Sequence, residues 1–265
     1  MRFNLIIFVT MHIRANILPL IWAAALTLTT VLLPQVEARQ FAFSNSAKPA
    51  TKGEVEIETW VTWKTGKDSD SDFTRFDFRH EIEYGLSERM LLGIYLPDWR
   101  YEENSSGSEA SFRDVGVELI YNFTDPSTDP VGFSLYNEIR GGNDLFILEN
   151  KLLFQKNVGR WKFVYNNVVE AEWEGDDLSD SKGEFQQTLG IHRKLNDWLY
   201  GGIEGFHEIE YADWSDWEDS TVYLGPSFRV KPGGAWSFVI APTFQLSDVD
   251  SAPDFVTRLV FGWEF

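Results

Sequence analysis

Apolar and polar residues take turns along much of this chain. From Phe73 to Leu86, the residues Phe76, Phe78, His80, Ile82, Tyr84 and Leu86 fall at every second position. Arg75, Asp77, Arg79, Glu81 and Glu83 fill the positions between them. A period of two is that of a β-strand, whose side chains point to opposite faces in turn. Residues 54–64 alternate in the same way, with Glu54, Glu56, Glu58 and Lys64 opposite Val55, Ile57, Val61 and Trp63. So do residues 162–174, with Phe163, Tyr165, Val169 and Trp173 against Lys162, Glu170, Glu172 and Glu174. The last stretch sets Leu259, Phe261, Trp263 and Phe265 against Arg258, Gly262 and Glu264.

Breakers punctuate these runs at regular intervals. The pattern predicts twelve strands, near 54–64, 73–85, 89–101, 111–123, 131–141, 144–156, 160–174, 184–195, 198–211, 219–230, 234–246 and 254–265. Several reach the roughly 9–11 residues that cross a bilayer at a tilt. The connections fall into two kinds. One set (66–72, 102–110, 141–144, 175–183, 212–218 and 247–253) is mostly acidic and rich in Ser and Asp. The other (86–88, 124–130, 157–159, 196–197 and 231–233) is mostly short, with Gly, Pro, Asn or Asp suited to tight turns. An even-stranded meander whose loops differ by end is the pattern of an outer-membrane barrel. Both chain termini then lie on the periplasmic side.

The N-terminus reads as an export signal. Residues 15–33 form the one long apolar run, with Arg14 before it and Val36-Glu37-Ala38 after it. A basic flank, an apolar core and a small-x-small exit make a secretory signal peptide over residues 1–38, with Met11 an alternative start. A transmembrane anchor is the competing reading. The mature chain, 39–265, is then one β-barrel domain, because no later window approaches the ~20 apolar residues of a helical span.

Which face points outward decides between a membrane barrel and a soluble one. In lipid every backbone donor and acceptor needs a partner, so the sheet must close with its apolar face outward. A secreted soluble barrel or sandwich would show the same alternation turned inside out. Aromatics near strand ends (Trp60, Trp99, Tyr101, Tyr121, Phe123, Trp161, Trp173, Trp198, Tyr200, Trp236 and Trp263) suit the girdles of a membrane barrel. Phe261, Trp263 and the terminal Phe265 resemble the C-terminal assembly signal of Gram-negative outer-membrane barrels. That resemblance implies recognition by the barrel assembly machinery and a location in the outer membrane.

Composition sharpens the picture. The 265 residues carry a formal charge of −18, which excludes most nucleic-acid binders. Hydrophobic residues make up 43%, too many for a disordered acidic chain. Cysteine is absent, which removes disulfides, thiolate metal sites and cysteine nucleophiles. On the proposed register the acids fall on the inward face and the outer loops. The expected pore-lining set is Glu54, Glu56, Glu58, Arg75, Asp77, Arg79, Glu81, Glu83, Glu118, Glu138, Arg140, Lys162, Glu170, Glu172, His192, Lys194, Glu204, Glu208 and Arg258. Acids outnumber bases there, so a water-filled lumen would favour cations or small polar solutes. The other reading is an ion-paired interior that rigidifies the barrel. Twelve strands ~4.8 Å apart and tilted ~40° give a backbone diameter of roughly 24 Å, and so a narrow bore. No loop is long enough to fold inward as a substantial plug.

Chemistry beyond a conduit finds little support in the sequence. The run Asp68-x-Asp70-x-Asp72 superficially resembles calcium ligands but lacks the Gly and distal Glu of an EF-hand loop. It reads as a solvated acidic rim, with divalent bridging to lipopolysaccharide phosphate the alternative. No cofactor and no metal site are expected. Some outer-membrane barrels are lipid-modifying enzymes with a His-x-Ser pair on one strand face. Here the residues two after His80, His192 and His207 are Ile82, Lys194 and Ile209. His192 with Glu204 is the nearest approach to an acid/base pair, and no nucleophile stands near it in sequence. The expectation is therefore a protein that is not an enzyme.

The stretch from Phe78 to Leu96, a strand, a Gly-Leu-Ser-Glu-Arg turn and a second strand, carries a family likeness. The residues 189–203 repeat the plan around Lys194-Leu-Asn-Asp-Trp198. The mature chain resembles the small transporter-like outer-membrane barrels found near aromatic-degradation genes. The resemblance implies outer-membrane uptake of small solutes. A closed structural or surface-interaction barrel is the alternative, and a lipid-modifying enzyme the third.

Overall fold

The computed structural model describes residues 39–48, 51–212, 214 and 216–265. The expected export signal over 1–38 lies outside the described residues. The alternating stretches become fourteen strands of one antiparallel sheet. They are β1 (Val55–Lys67), β2 (Asp70–Ser87), β3 (Met90–Tyr95), β4 (Trp99–Asn104), β5 (Gly107–Phe112), β6 (Val115–Thr124) and β7 (Gly132–Gly142). Then follow β8 (Leu145–Val158), β9 (Trp161–Glu174), β10 (Asp180–Lys194), β11 (Leu199–Ala212), β12 (Asp216–Val230), β13 (Trp236–Gln245) and β14 (Phe255–Glu264).

The fourteen strands make twelve passes. β3 and β4 both pair with β2 and together form one pass, and β5 and β6 form the next. The expected strands 89–101 and 111–123 are therefore each broken in two. Pro97 offers no amide hydrogen to the ladder, so the strand cannot run through it. One pair of hydrogen bonds spans the gap, with the Asp98 amide donating to Asp114 and the Arg113 amide to Asp98, both at 2.8 Å. The sheet closes because β1 pairs with β2 on one side (Ile57↔Ile82) and β14 on the other (Ile57↔Trp263). The Phe265 amide donates to the Val55 carbonyl at 2.9 Å, so the sheet's two chain ends meet at one rim. That rim is the terminal end, and the opposite one is the hairpin end.

The barrel is apolar outside and polar within. Ile57, Ile94, Val117, Ile139, Val169 and Phe228 are exposed, whereas Glu58, Glu81, Glu118, Glu138, Asn166 and Arg229 are buried. This inverts the ordinary burial of a soluble protein and suits an outer face in lipid. Two aromatics assigned to the girdle face inward instead. Trp60 is 4% exposed and shares the inner face with Glu56 and Glu58. Tyr200 pairs in register with Arg229, whose guanidinium lies 5.3 Å from its ring centre.

The lumen is not empty. Residues 39–48 precede the first strand and lie inside the barrel as a crossbar. Gln40, Phe41, Ala42, Ser44 and Ala47 are all buried. Ala47 packs against Ile120, Tyr136 and Leu153 on the β6–β8 wall. Arg39 reaches Glu58 on β1 across the lumen. The interior is thus obstructed, contrary to the expectation from loop lengths, because the obstructing segment is not a loop.

Candidate functional site

A strand-free segment in a low-dielectric interior needs partners for its backbone groups. Glu204 on β11 supplies most of them. Its carboxylate accepts the amides of Ala42 at 2.9 Å, Phe43 at 2.6 Å and Ser44 at 2.8 Å. Asn166 on β9 accepts the Asn45 amide at 2.7 Å and donates to the Asn45 carbonyl at 2.9 Å. Arg229 Nε donates to the Arg39 carbonyl at 2.9 Å, and Arg258 to the Ala42 carbonyl at 3.3 Å. The Phe41 ring lies 4.2 Å from the His192 ring, over Gly190. A Cβ at Gly190 would collide with the Phe41 ring, so only glycine leaves this berth open.

Above the crossbar, toward the hairpin end, lies a cavity of about 740 Å³. Arg39, Phe43 and Asn45 border it, and it extends to Lys67, Glu174 and Glu218 near the rim. Its walls differ in sign. Lys64, Arg75, Arg79, Arg100, Arg140 and Arg258 come from β1, β2, β4, β7 and β14. Glu170, Glu172, Glu184, Glu208, Glu210 and Glu218 come from β9–β12 on the other side. Most of the bases are held by acids near them. Arg79 bridges Asp98 and Glu138 at 2.7 Å each, Arg100 meets Asp77 at 2.7 Å, and Arg75 meets Glu102 at 2.6 Å. Trp60 carries guanidinium groups around it, Arg39 at 4.0 Å, Arg79 at 5.2 Å and Arg258 at 5.4 Å from its ring centre.

Toward the terminal end the inner face of β1, β2 and β6 is acidic, while buried Lys162 and Arg229 come from β9 and β12. Glu58 accepts Trp60 Nε1 at 2.8 Å and Arg39 at 3.4 Å. Glu118 accepts the Tyr95 hydroxyl at 2.7 Å. Carboxylate oxygens of Glu58, Glu81 and Glu83 lie within 4.8 Å of one another, and these three could hold a metal ion.

The residues expected to line a pore divide into groups. Arg75, Arg79, Arg140, Glu170, Glu172, Glu208 and Arg258 border the cavity. Glu56, Glu58, Glu81, Glu118, Glu138, Lys162, His192 and Glu204 are buried. Asp77 is tied to Arg100, Glu83 joins the acidic group, and Glu54 precedes β1 at the terminal rim. Lys194 departs from expectation. It sits at the end of β10 and pairs with Asp197 in the following turn at 3.0 Å, both side chains facing solvent. At the hairpin end Asp70 accepts the Ser105 and Asp72 amides, which hold its carboxyl below the usual range. Its oxygens are thus engaged within the acidic rim.

Sequence reasoning missed the crossbar, and also Tyr95, Tyr136 and Ser227. Ser227 comes from β12 and stands between His192 and Glu204. His192 Nε2 is 2.9 Å from its hydroxyl, which in turn donates to Glu204 at 3.0 Å. No nucleophile stands near His192 in sequence, and the fold brings this hydroxyl in from a residue 35 positions away.

Residues 35–157 match a family described as a family of unknown function (DUF6662). No curated protein matches the chain. Among solved structures, the COG4313 outer membrane channel from Pseudomonas putida F1 superposes with a TM-score of 0.64. The two are 13% identical, over 86% of this chain and 100% of that one. The NanC porin gives 0.53 at 9% identity, over 79% of this chain and 98% of that one. The translocator domain of the autotransporter NalP from Neisseria meningitidis gives 0.52 at 11%, over 82% and 89%. At these identities the likeness is one of fold, that of outer-membrane barrel channels. The expectation of a protein that is not an enzyme is also corrected. The barrel does not by itself separate channels from enzymes.

Proposed function

We propose that the protein is an outer-membrane channel for small polar solutes, with a preference for cations, gated by its own N-terminal segment. The observation that carries this reading is the polar cavity of about 740 Å³ with the crossbar at its base. A vestibule that narrows onto a removable segment suits admission of small solutes better than free diffusion of large ones. The crossbar is held by hydrogen bonds to its backbone, which can be exchanged for water, and by packing of Phe41, Ala42 and Ala47. The preference for cations follows from Glu56, Glu58, Glu81, Glu83 and Glu118 toward the terminal end. The bases on the facing wall of the vestibule are mostly tied to acids already.

In this reading residues 1–38 direct export and are removed, and the terminal end faces the periplasm. Phe261, Trp263 and Phe265 serve assembly by the barrel machinery. The outer apolar face contacts lipid, and the acidic rim meets lipopolysaccharide through divalent cations. The turn pattern of residues 78–96 favours membership of the transporter-like group. A closed structural barrel is the second reading, favoured by the grip of Glu204 on the segment.

Swelling of proteoliposomes tests the choice. Vesicles carrying the protein or its E204Q variant should admit small neutral sugars, and cationic amino acids faster than anionic ones of equal size. No permeability in either form would overturn the channel reading.

A further inference from the structure

We propose that Glu58, Glu81 and Glu83 bind a divalent cation of the calcium type inside the lumen, beside the N-terminal crossbar. Alternation places Glu81 and Glu83 on the inner face of β2, and register sets Glu81 opposite Glu58 of β1. Oxygens of all three carboxylates come within 4.8 Å of one another. Such an arrangement leaves like charges facing one another in a medium that screens them poorly, unless a counter-charge intervenes.

A second observation points to a ligand. Glu81 is 1% exposed, and neither of its carboxylate oxygens has a hydrogen-bond partner. A buried carboxylate with both oxygens idle is costly. Neither Glu81 nor Glu83 forms an ion pair among the described residues. The base at hand, Arg39, is committed to one oxygen of Glu58 and to the face of Trp60. The neighbouring strand also leaves room. Gly93 lies opposite Glu83 on β3, and a Cβ there would collide with Glu81 Oε1 and with the Glu118 side chain.

The donors select the ion. Three carboxylates with no imidazole or thiolate favour a hard cation. Calcium binds oxygen at about 2.3–2.6 Å, so ligands on opposite sides of the ion lie up to about 5 Å apart. Water would complete the coordination. Bound there, the ion would join β1 to β2 and neutralise the acids next to Arg39. This inference goes beyond the channel reading and does not depend on conduction.

Terbium luminescence tests it, because Trp60 touches Glu58 and can transfer its excitation to a bound lanthanide. The full mature barrel, refolded in detergent without lipopolysaccharide, is titrated with terbium and then with calcium. The expected result is saturable emission at one equivalent, displaced by calcium and lost in E81Q and in E83Q. W60F should lose emission yet keep calcium binding by calorimetry. Each variant is first shown to be folded by its heat-modifiable migration on gels. G93A, which keeps every carboxylate in the chain but crowds Glu81 and Glu118, provides an independent variant and should weaken binding. Emission unchanged in E81Q and E83Q would assign the ion to the acidic rim and overturn the proposal. Absence of binding in the unmodified protein would overturn it too, leaving the carboxylates to share protons.

Discussion

Glu204 gathers three consecutive backbone amides and the Ser227 hydroxyl onto one buried carboxylate. Hydrogen bonds to a charged group contribute about 1.5–3 kcal/mol each, net of the exchange with water. E204Q keeps the shape but removes the charge and one acceptor. It should loosen the crossbar by about 1–3 kcal/mol without unfolding the barrel. Protease accessibility of residues 39–48 in the folded protein measures this, and unchanged protection would remove Glu204 as the anchor. Gly190 gives a test that leaves Glu204 untouched. A valine there would enter the space of the Phe41 ring, so G190V should expose the same segment. None of this was legible in the sequence beyond the inward orientation of Glu204. Period two reveals a face, whereas the partners here are backbone amides some 160 residues away.

Strands were the most legible element, because alternation continues through each of them and breakers mark their ends. The exceptions are instructive. Pro97 stood inside the expected strand 89–101, and a proline in a ladder signals an edge or a break. The pass is indeed interrupted there, and β5 has β4 as its sole partner strand among the described residues. Arg79 secures the broken region by joining Asp98, in the gap, to Glu138 on β7. Replacing it by methionine takes the base from buried Asp98 and leaves Glu138 with Arg140 as its remaining base. R79M should destabilise the barrel by about 3–5 kcal/mol, read from urea unfolding in lipid vesicles. A loss under ~1 kcal/mol would show that water or a neighbouring base replaces the guanidinium. The segment 39–48 was illegible as an element for the opposite reason. It has no period, and its place is fixed only once the barrel exists to receive it.

For the whole molecule, the acidic balance and the inside-out burial belong together. Closing the sheet with Ile94, Val117 and Phe228 outward forces the charged residues into the lumen or onto the rims. The sequence pattern foresaw that sorting but not the vestibule with walls of opposite sign. Neutralising Glu56 and Glu58 together should reduce cation preference, seen as a reversal potential closer to zero under a salt gradient. An unchanged potential would place the selectivity elsewhere. Removing Phe265 should lower the amount of assembled barrel in the outer membrane, and normal levels would count against its role in assembly.

The central claim is that residues 39–48 gate the lumen, and single-channel recording in planar bilayers tests it most directly. The intact mature chain should show small or infrequent conductance, and the same barrel lacking residues 39–48 should show a larger, steady one. Equal conductance from both, or none from the shortened barrel once it is shown to be folded, would contradict the account.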